Sequence, residues 1–377
     1  MSGETSSKRK VGIGVLLAAL LAGGGYWLVA PEDSETPEYI PVSLHDEATR
    51  GSGDDSESPA PEGERPSSPL CPAGSTEDGH LCICSFNVQF LGSSASRDNA
   101  ALADAVAACD VLVVQELVAP PYEGEFPDGT AFKPDDEAAA FYNEMKDRGF
   151  EYRMSEEDTG TSETNHNNGS ATEWWVAFYH PERAHPADDV PTGFIADDVT
   201  ANPNLDRVPF AFGFRTPDKN LDFVLVSVHL HPDPGPAARA RRETEMEAIG
   251  DWIESNSGTE KDIIVLGDMN IYKQGEMTKL VGLLPEGYQS LNDDCVATNT
   301  NVNGLEPYDH VMYSSEDTSE VVEDSFTVLD LSEYMEAKWT GVGAYPGNPY
   351  IHDRFRAIYS DHNPVAFEMV VGEGDDD

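Results

Sequence analysis

The chain has 377 residues, enough for one large domain with appendages. It carries 70 Asp and Glu against 23 Lys and Arg, so the formal net charge is 23 − 70 = −47. A charge of that size repels itself in dilute buffer and excludes a protein that gathers polyanions by a bulk basic field, so any nucleic-acid reading needs either a local basic groove or concentrated salt.

From the amino end, Lys8, Arg9 and Lys10 precede an apolar run from Val11 to Ala30, after which acidic residues begin. About 20 apolar residues suffice to span a bilayer, and basic residues before the run keep the amino end cytoplasmic. Residues 1–30 therefore read as a signal-anchor or a signal peptide, and the rest of the chain as extracytoplasmic, either secreted or tethered to the outer face of the membrane. Residues 31–70, including "GSGDDSESPAPEGERPSSP", show no apolar period and read as a disordered acidic linker. A folded domain is expected over 71–371, and the acidic tail "GEGDDD" closes the chain over 372–377. Acidic stretches such as "MSEEDTG" and "SSEDTSEVVED" recur inside the domain. Molar salt, with a Debye length of roughly 3 Å, would screen that repulsion, so the composition points to a halophilic setting.

Five cysteines, 71, 82, 84, 109 and 295, leave at least one unpaired within the chain. An exported setting permits disulfides. Cys71 is close enough in sequence to bridge to Cys82 or Cys84. Cys109, just before an apolar run, is expected to be a buried thiol.

Within the domain, strands and helices alternate. "ICSFNVQF" reads as a strand, "RDNAALADAVAAC" as a helix, "VLVVQEL" as a strand and "PDDEAAAFYNEMKDRGF" as a helix with an acidic start and Gly149 near its end. "FEYRMS", "EWWVAFYH", "VPFAFGFRT" and "LDFVLVSVHL" follow as strands, then the long helix "GPAARARRETEMEAIGDWIESN", then strands "DIIVLGD", "YDHVMY" and "NPVAFEMVV". Consecutive strands between residues 150 and 230 imply antiparallel pairing, and the βα units elsewhere imply parallel pairing. The expected class is α/β, with two packed mixed sheets flanked by helices.

Polar residues recur at the ends of these apolar runs. Asn87 lies in the first strand, Glu116 ends "VLVVQEL", His229 ends "VLVSVHL", and Asp268 and Asn270 follow "IIVL". Asp309 heads "YDHVMY", and Asp361 and His362 precede the last strand. Each alone is ordinary turn or edge chemistry. Together they are what a hard-cation phosphoester site requires: oxygen ligands for Mg²⁺ and imidazoles to move protons.

The ordered blocks "SFNVQFLG", "VVQEL", "EWWVAFYHPER", "DRVPFAF", "VSVHLHP", "VLGDMN", "YDHVMY" and "SDHNPVAFEM", spanning about residues 82 to 371, resemble the endonuclease/exonuclease/phosphatase superfamily, and within it the deoxyribonuclease I-like nucleases. The resemblance implies a four-layer sandwich of two mixed β-sheets flanked by helices, and a metal-dependent hydrolase that cuts DNA. It implies a divalent metal, Mg²⁺ with Mn²⁺ or Ca²⁺ as rivals, held by Glu116 with Asn87, Asp268 and Asp361. It implies that His229 pairs with Glu173 and His362 with Asp309 as catalytic dyads, that Asp268 is a further candidate base, and that Asn270 and Arg207 bind the scissile phosphate. His231 competes with His229, whose position at the strand end fits the family pattern. The tyrosine that such nucleases carry shortly before the Glu173 position is replaced here by "GSAT", and their disulfide after the GDxN strand has no counterpart. An aromatic and basic insert, "KWTGVGAYPGNPYIHDRFR", would line a substrate groove or pack. Arg239, Arg241, Arg242, Arg354 and Arg356 could form basic patches, or pair with helix glutamates.

The expected substrate is DNA, with the membrane as a partner through residues 11–30 if that segment is uncleaved, and no protein partner is inferred. A phospholipid or small phosphate-ester phosphoesterase of the same superfamily is the alternative. A non-enzymatic binding module ranks last, because every expected site position is occupied.

Overall fold

Strand β1 (His80–Leu91) shows how the layers arise. Leu81 and Ile83 face one apolar cluster, whereas Cys82, Cys84, Phe86 and Val88 face another. A strand buried on both sides needs a near-continuous apolar run, and β1 has one. In the computed structural model the described residues are 69–372, except 72–78, 95, 132, 161–171, 200–201, 219 and 348. The expected membrane segment, most of the linker and most of the acidic tail lie outside them. No helix among the described residues is long and apolar enough to cross a membrane.

In chain order the next strands are β2 (Val111–Leu117), β3 (Glu151–Met154), β4 (Thr159–Gly160), β5 (Thr172–Tyr179), β6 (His185–Pro186) and β7 (Gly193–Phe194). They are followed by β8 (Phe210–Arg215), β9 (Asp222–His229), β10 (Ile263–Asp268), β11 (Tyr288–Ser290), β12 (Asp309–Ser314), β13 (Thr327–Val328) and β14 (Val365–Val370). One seven-stranded sheet runs β13-β14-β1-β2-β5-β3 with β4 on β5. The other runs β11-β12-β10-β9-β8-β6 with β7 on β8. Each sheet has a central parallel pair, β1/β2 or β9/β10, flanked on both sides by antiparallel neighbours.

Between the sheets, Val111, Val113, Trp175 and Phe367 of the first meet Phe212, Leu225, Ile264, Leu266 and Val311 of the second. Helices α1 (Asn99–Val106) and α2 (Asp136–Asp147) cover the outer face of the first sheet. Helices α3 (Pro236–Asn256) and α4 (Gln274–Val281) cover that of the second. The expected two-sheet α/β sandwich is the architecture observed.

Local signals explain the helix ends. Asp98 and Asp135 accept the backbone amides of Ala101 and Glu137 as N-caps, at 3.0 and 2.8 Å. Pro236 opens α3, where a missing N–H costs nothing. The inner face of α3 is not wholly apolar, because Arg242 and Glu245 are buried beside Met246, Ile249 and Ile253. Arg242 donates to Glu276 (2.9 Å) and to the carbonyls of His231 (2.6 Å) and Asp233 (2.9 Å). Its guanidinium also lies over the Tyr272 ring. The arginines of α3 therefore form no free basic patch: Arg241 pairs with Asp206, and Arg239 faces Glu276.

The cysteines require one correction. Cys71 bonds Cys82, one of the two expected options, but Cys109 is no thiol: it bonds Cys84 and ties β1 to the turn before β2. Cys295 is the free cysteine among the described residues. Of the two alternatives for the insert 338–356, packing is the one observed. Trp339, Tyr345 and Tyr350 pack on the first sheet's core, and Arg356, at the end of the short helix His352–Arg356, borders a cleft.

Candidate active site

The topology explains why polar residues far apart in sequence meet. Strands in a parallel pair end on the same side, so β1, β2, β9 and β10 deliver Asn87, Glu116, His229 and Asp268 to one edge of the sandwich. Their antiparallel neighbours begin at that edge, and they bring Glu173 at the head of β5, Asp309 at the head of β12, and Asp361 and His362 ahead of β14. In the second sheet Asp268 is in register with both His229 and Asp309.

Beneath the edge, the last layer between the sheets is polar. Ser85 donates to Gln115 Oε1, and Gln115 Nε2 donates to Ser227 Oγ, both at 3.2 Å. Gly267 sits above this bridge at φ 135°, and an added Cβ would meet the Val228 carbonyl oxygen at 2.2 Å. Only glycine fits there, which accounts for the glycine ahead of Asp268.

Asn87 joins the sheets. Its Nδ2 donates to Glu116 Oε1 at 2.9 Å and to Asp268 Oδ2 at 3.0 Å. The same Asp268 oxygen faces both imidazoles, 3.5 Å from His229 Nε2 and 3.4 Å from His362 Nε2. Behind each ring stands a buried carboxylate: Glu173 Oε1 is 3.2 Å from His229 Nδ1, and Asp309 Oδ2 is 2.8 Å from His362 Nδ1. Glu173 also accepts the Glu116 amide at 2.7 Å. Arg207 lies against this dyad, 3.3 Å from Glu173 and donating to the His229 carbonyl. Asn270 donates its amide N–H to Asp268 Oδ1 and its side chain to the Leu230 carbonyl. His231 is apart from the cluster, with its Nδ1 against Asp206.

The electrostatics follow from burial and neighbours. Burial opposes a charged His362, but Asp309, Asp268 and Asp361 outweigh it and hold the imidazolium well above the usual histidine range. For His229, burial and Arg207 oppose the charge, yet Glu173 and Asp268 raise it overall. Burial raises Glu116 against the pull of His229, with Asp361 and Glu173 adding to the rise, and burial raises Asp361 against His362 and Arg356, with Asp268 adding to it.

The donor set of Glu116, Asp268 and Asp361 is oxygen throughout, and Asp361 Oδ1 is buried with no hydrogen-bond partner. Glu116, His229 and Asp268 present ligand atoms within 4.8 Å of one another, as do Asp268, Asp309 and His362. Clustered carboxylates with an orphan oxygen fit a hard divalent cation.

Several groups at this edge are missing from the sequence expectations. Gln89 donates to Asp361 Oδ2 at 3.0 Å, and the Phe90 amide donates to Glu116 Oε2 at 2.9 Å. Buried Arg97 pairs with Glu137 at 2.8 Å and donates to the carbonyls of Val88, Gln89 and Tyr359. Gln89, Phe90, Glu116 and Asn270 all have φ between 50° and 63°, a costly conformation for residues with a Cβ. Gln89 was open to discovery from its i+2 spacing to Asn87. Backbone strain leaves no mark in composition.

The sequence profile of the Endonuclease/Exonuclease/phosphatase family matches residues 84–362. No curated protein matches the sequence. Among solved structures, the human nocturnin catalytic domain with bound sulfate anion is 15% identical with a TM-score of 0.49, covering 78% of this chain and 95% of that one. An endonuclease/exonuclease/phosphatase family protein from Bacteroides thetaiotaomicron is 15% identical, with a TM-score of 0.48 and coverage of 78% and 98%. D. rerio TDP2 complexed with single strand DNA product is 16% identical, with a TM-score of 0.46 and coverage of 77% and 99%.

Proposed function

The chain belongs to the endonuclease/exonuclease/phosphatase family, and from that premise we propose that it hydrolyses DNA phosphodiester bonds as an exported, divalent-metal-dependent endonuclease working at high salt. One observation carries the reading. Two imidazoles, each backed by a buried carboxylate, turn their Nε2 atoms toward the same Asp268 oxygen beside a carboxylate cluster. Phosphodiester hydrolysis needs one group to take a proton from water and another to give one to the departing oxygen, and two braced imidazoles at one point supply both.

Glu116, Asp268 and Asp361, steadied by Asn87 and Gln89, are the residues that would hold Mg²⁺. A bound divalent ion supplies Lewis-acid polarisation of the phosphate and offsets charge developing on it. Arg207, 3.3 Å from Glu173 beside the His229 dyad, carries a planar fork that suits phosphate oxygens. Glu173 and Asp309 each fix a ring by its Nδ1, so that Nε2 is the atom that exchanges protons. Asn270 locks the Asp268 carboxylate through its backbone amide.

Export rests on the apolar segment 11–30 and on the two disulfides, which persist in oxidising compartments. The high-salt setting rests on the net charge of −47.

The test is plasmid nicking by the purified full-length chain with Mg²⁺, Mn²⁺, Ca²⁺ or EDTA, at low and molar KCl, beside RNA, phospholipid vesicles and a small aryl phosphodiester. Metal-dependent nicking that survives molar salt and disappears in Glu116→Gln is expected. Turnover of lipid or aryl ester with intact plasmid would transfer the reading to a lipid or small-ester phosphoesterase.

A further inference from the structure

Next to the carboxylate cluster lies a cleft of about 460 Å³, bordered by Gln89, Phe90, Ser93 and Ser96 on one side and by Asp353 and Arg356 on the other. We propose that this cleft is the subsite for the nucleotide unit adjoining the scissile phosphate, with the base stacked on Phe90 and its phosphate held by Arg356. The proposal rests on the phosphodiesterase reading above and names the part of the substrate that the neighbouring groove recognises.

Three features point to a ligand here. First, Phe90 is 37% exposed and also adopts φ 55°, directly after Gln89 at φ 52°. A lone exposed aromatic is unremarkable. One held outward by two successive left-handed residues is costly, and such strain clusters at binding sites. The strain is actively maintained: Arg97, 4% exposed, gathers the carbonyls of Val88, Gln89 and Tyr359 under the turn.

Second, the turn is joined to the candidate metal carboxylates. The Phe90 amide donates to Glu116, and the Gln89 side chain donates to Asp361. The ring therefore stands one residue's reach from the reacting edge.

Third, Arg356 completes the opposite wall. It is 40% exposed and pairs with Asp353, itself 84% exposed, at 3.1 Å, and more distantly with Asp361, whose Oδ2 is 3.8 Å from its Nη1. An exposed pair of that kind binds weakly, so the guanidinium is available to a phosphate, which it can grip in bidentate fashion. The buried arginines Arg97 and Arg242 are committed, to Glu137 and Glu276. Ser96 donates to the Ala357 carbonyl and ties the two walls together.

An aromatic face and a guanidinium flanking one cleft match the stacked base and charged backbone of a nucleic-acid strand. A choline or ethanolamine head group would bring its cation against Arg356.

The experiment measures binding of a short labelled single-stranded DNA to the full-length chain in EDTA, then steady-state cleavage of the same DNA and of an aryl phosphodiester with Mg²⁺. Phe90→Ala and Arg356→Ala are each expected to weaken DNA binding and raise KM for DNA about tenfold, a larger loss than on the aryl ester, which does not fill the subsite. Phe90→Trp, which keeps a stacking face, should restore binding. Arg356→Ala should also flatten the salt dependence of binding by about 0.7 in the logarithmic slope, and Phe90→Ala should leave that slope alone. Wild-type DNA cleavage with unaltered binding and KM in both alanine variants would overturn the subsite and leave the proposed function standing. Absence of DNA binding and cleavage, with turnover of aryl ester or phospholipid, would overturn both.

Discussion

Asp309 Oδ2 lies 2.8 Å from Nδ1 of His362, and both side chains are almost wholly buried. The carboxylate is the main reason the imidazole keeps its proton despite burial. Asp309→Asn preserves shape and removes the charge. The His362 pKa, read by NMR titration in EDTA, should fall, because the group stabilising the cation is gone and the desolvation remains. Turnover should drop by about 10²–10⁴. An unmoved His362 titration in the variant would refute the electrostatic role.

His310 lies on the neighbouring strand position and behaves in the opposite way. Its Nε2 donates to the Pro307 carbonyl at 2.9 Å, and its Nδ1 lies 3.0 Å from Ser290 Oγ. Burial pushes it down to about 4. The unfolded chain takes up this proton near pH 6.5, whereas the folded chain resists until about 4. Stability linked to His310 is thus complete above pH 6.5, is lost as pH falls towards 4, and amounts to about 3 kcal/mol. Urea midpoints at pH 7.5, 6 and 5 should converge between wild type and His310→Asn as the pH drops. Parallel curves would show that His310 does not titrate this way.

Arg242 is fully buried and bound to Glu276. Arg242→Ala leaves the buried Glu276 carboxylate with only the more distant Arg239, at 3.7 Å, and should cost about 3–5 kcal/mol. The double replacement Arg242→Met with Glu276→Met should recover most of it. Urea denaturation distinguishes the cases, and a double variant as weak as the single one would place the loss in packing instead.

Cys84 and Cys109 close a loop with a sequence separation of 25. Constraining the unfolded chain over that span is worth about 3 kcal/mol. Cys109→Ser should lower the denaturation midpoint accordingly at high salt, and dithiothreitol should bring the wild type down to at least the variant. Identical midpoints for wild type and variant would mean the bridge contributes nothing.

Much of the candidate site was legible because Glu116, His229, Asp268, Asp309 and His362 each open or close an apolar run, and a strand end is a place that sequence periodicity can locate. The two sheets were legible for the same reason. Arg97 was not, since its role depends on carbonyls brought together from residues some 260 positions apart, such as Tyr359, whereas Arg356 was named only as one of several arginines that could form a basic patch. Arg242 was read among helix charges because a 3.6-residue period cannot say that a guanidinium on the inner face has a partner on another helix. The bond between Cys84 and Cys109 escaped notice because spacing does not fix connectivity.

One consequence reaches beyond chemistry. Asn87 belongs to one sheet and Asp268 to the other, so no half of the sandwich owns the reactive edge. A sideways slip of about 1 Å between the halves would spoil alignment long before either sheet lost its hydrogen bonds. Turnover should accordingly fade during gentle denaturation ahead of the far-ultraviolet circular dichroism signal, which makes the enzyme its own gauge of interlayer alignment.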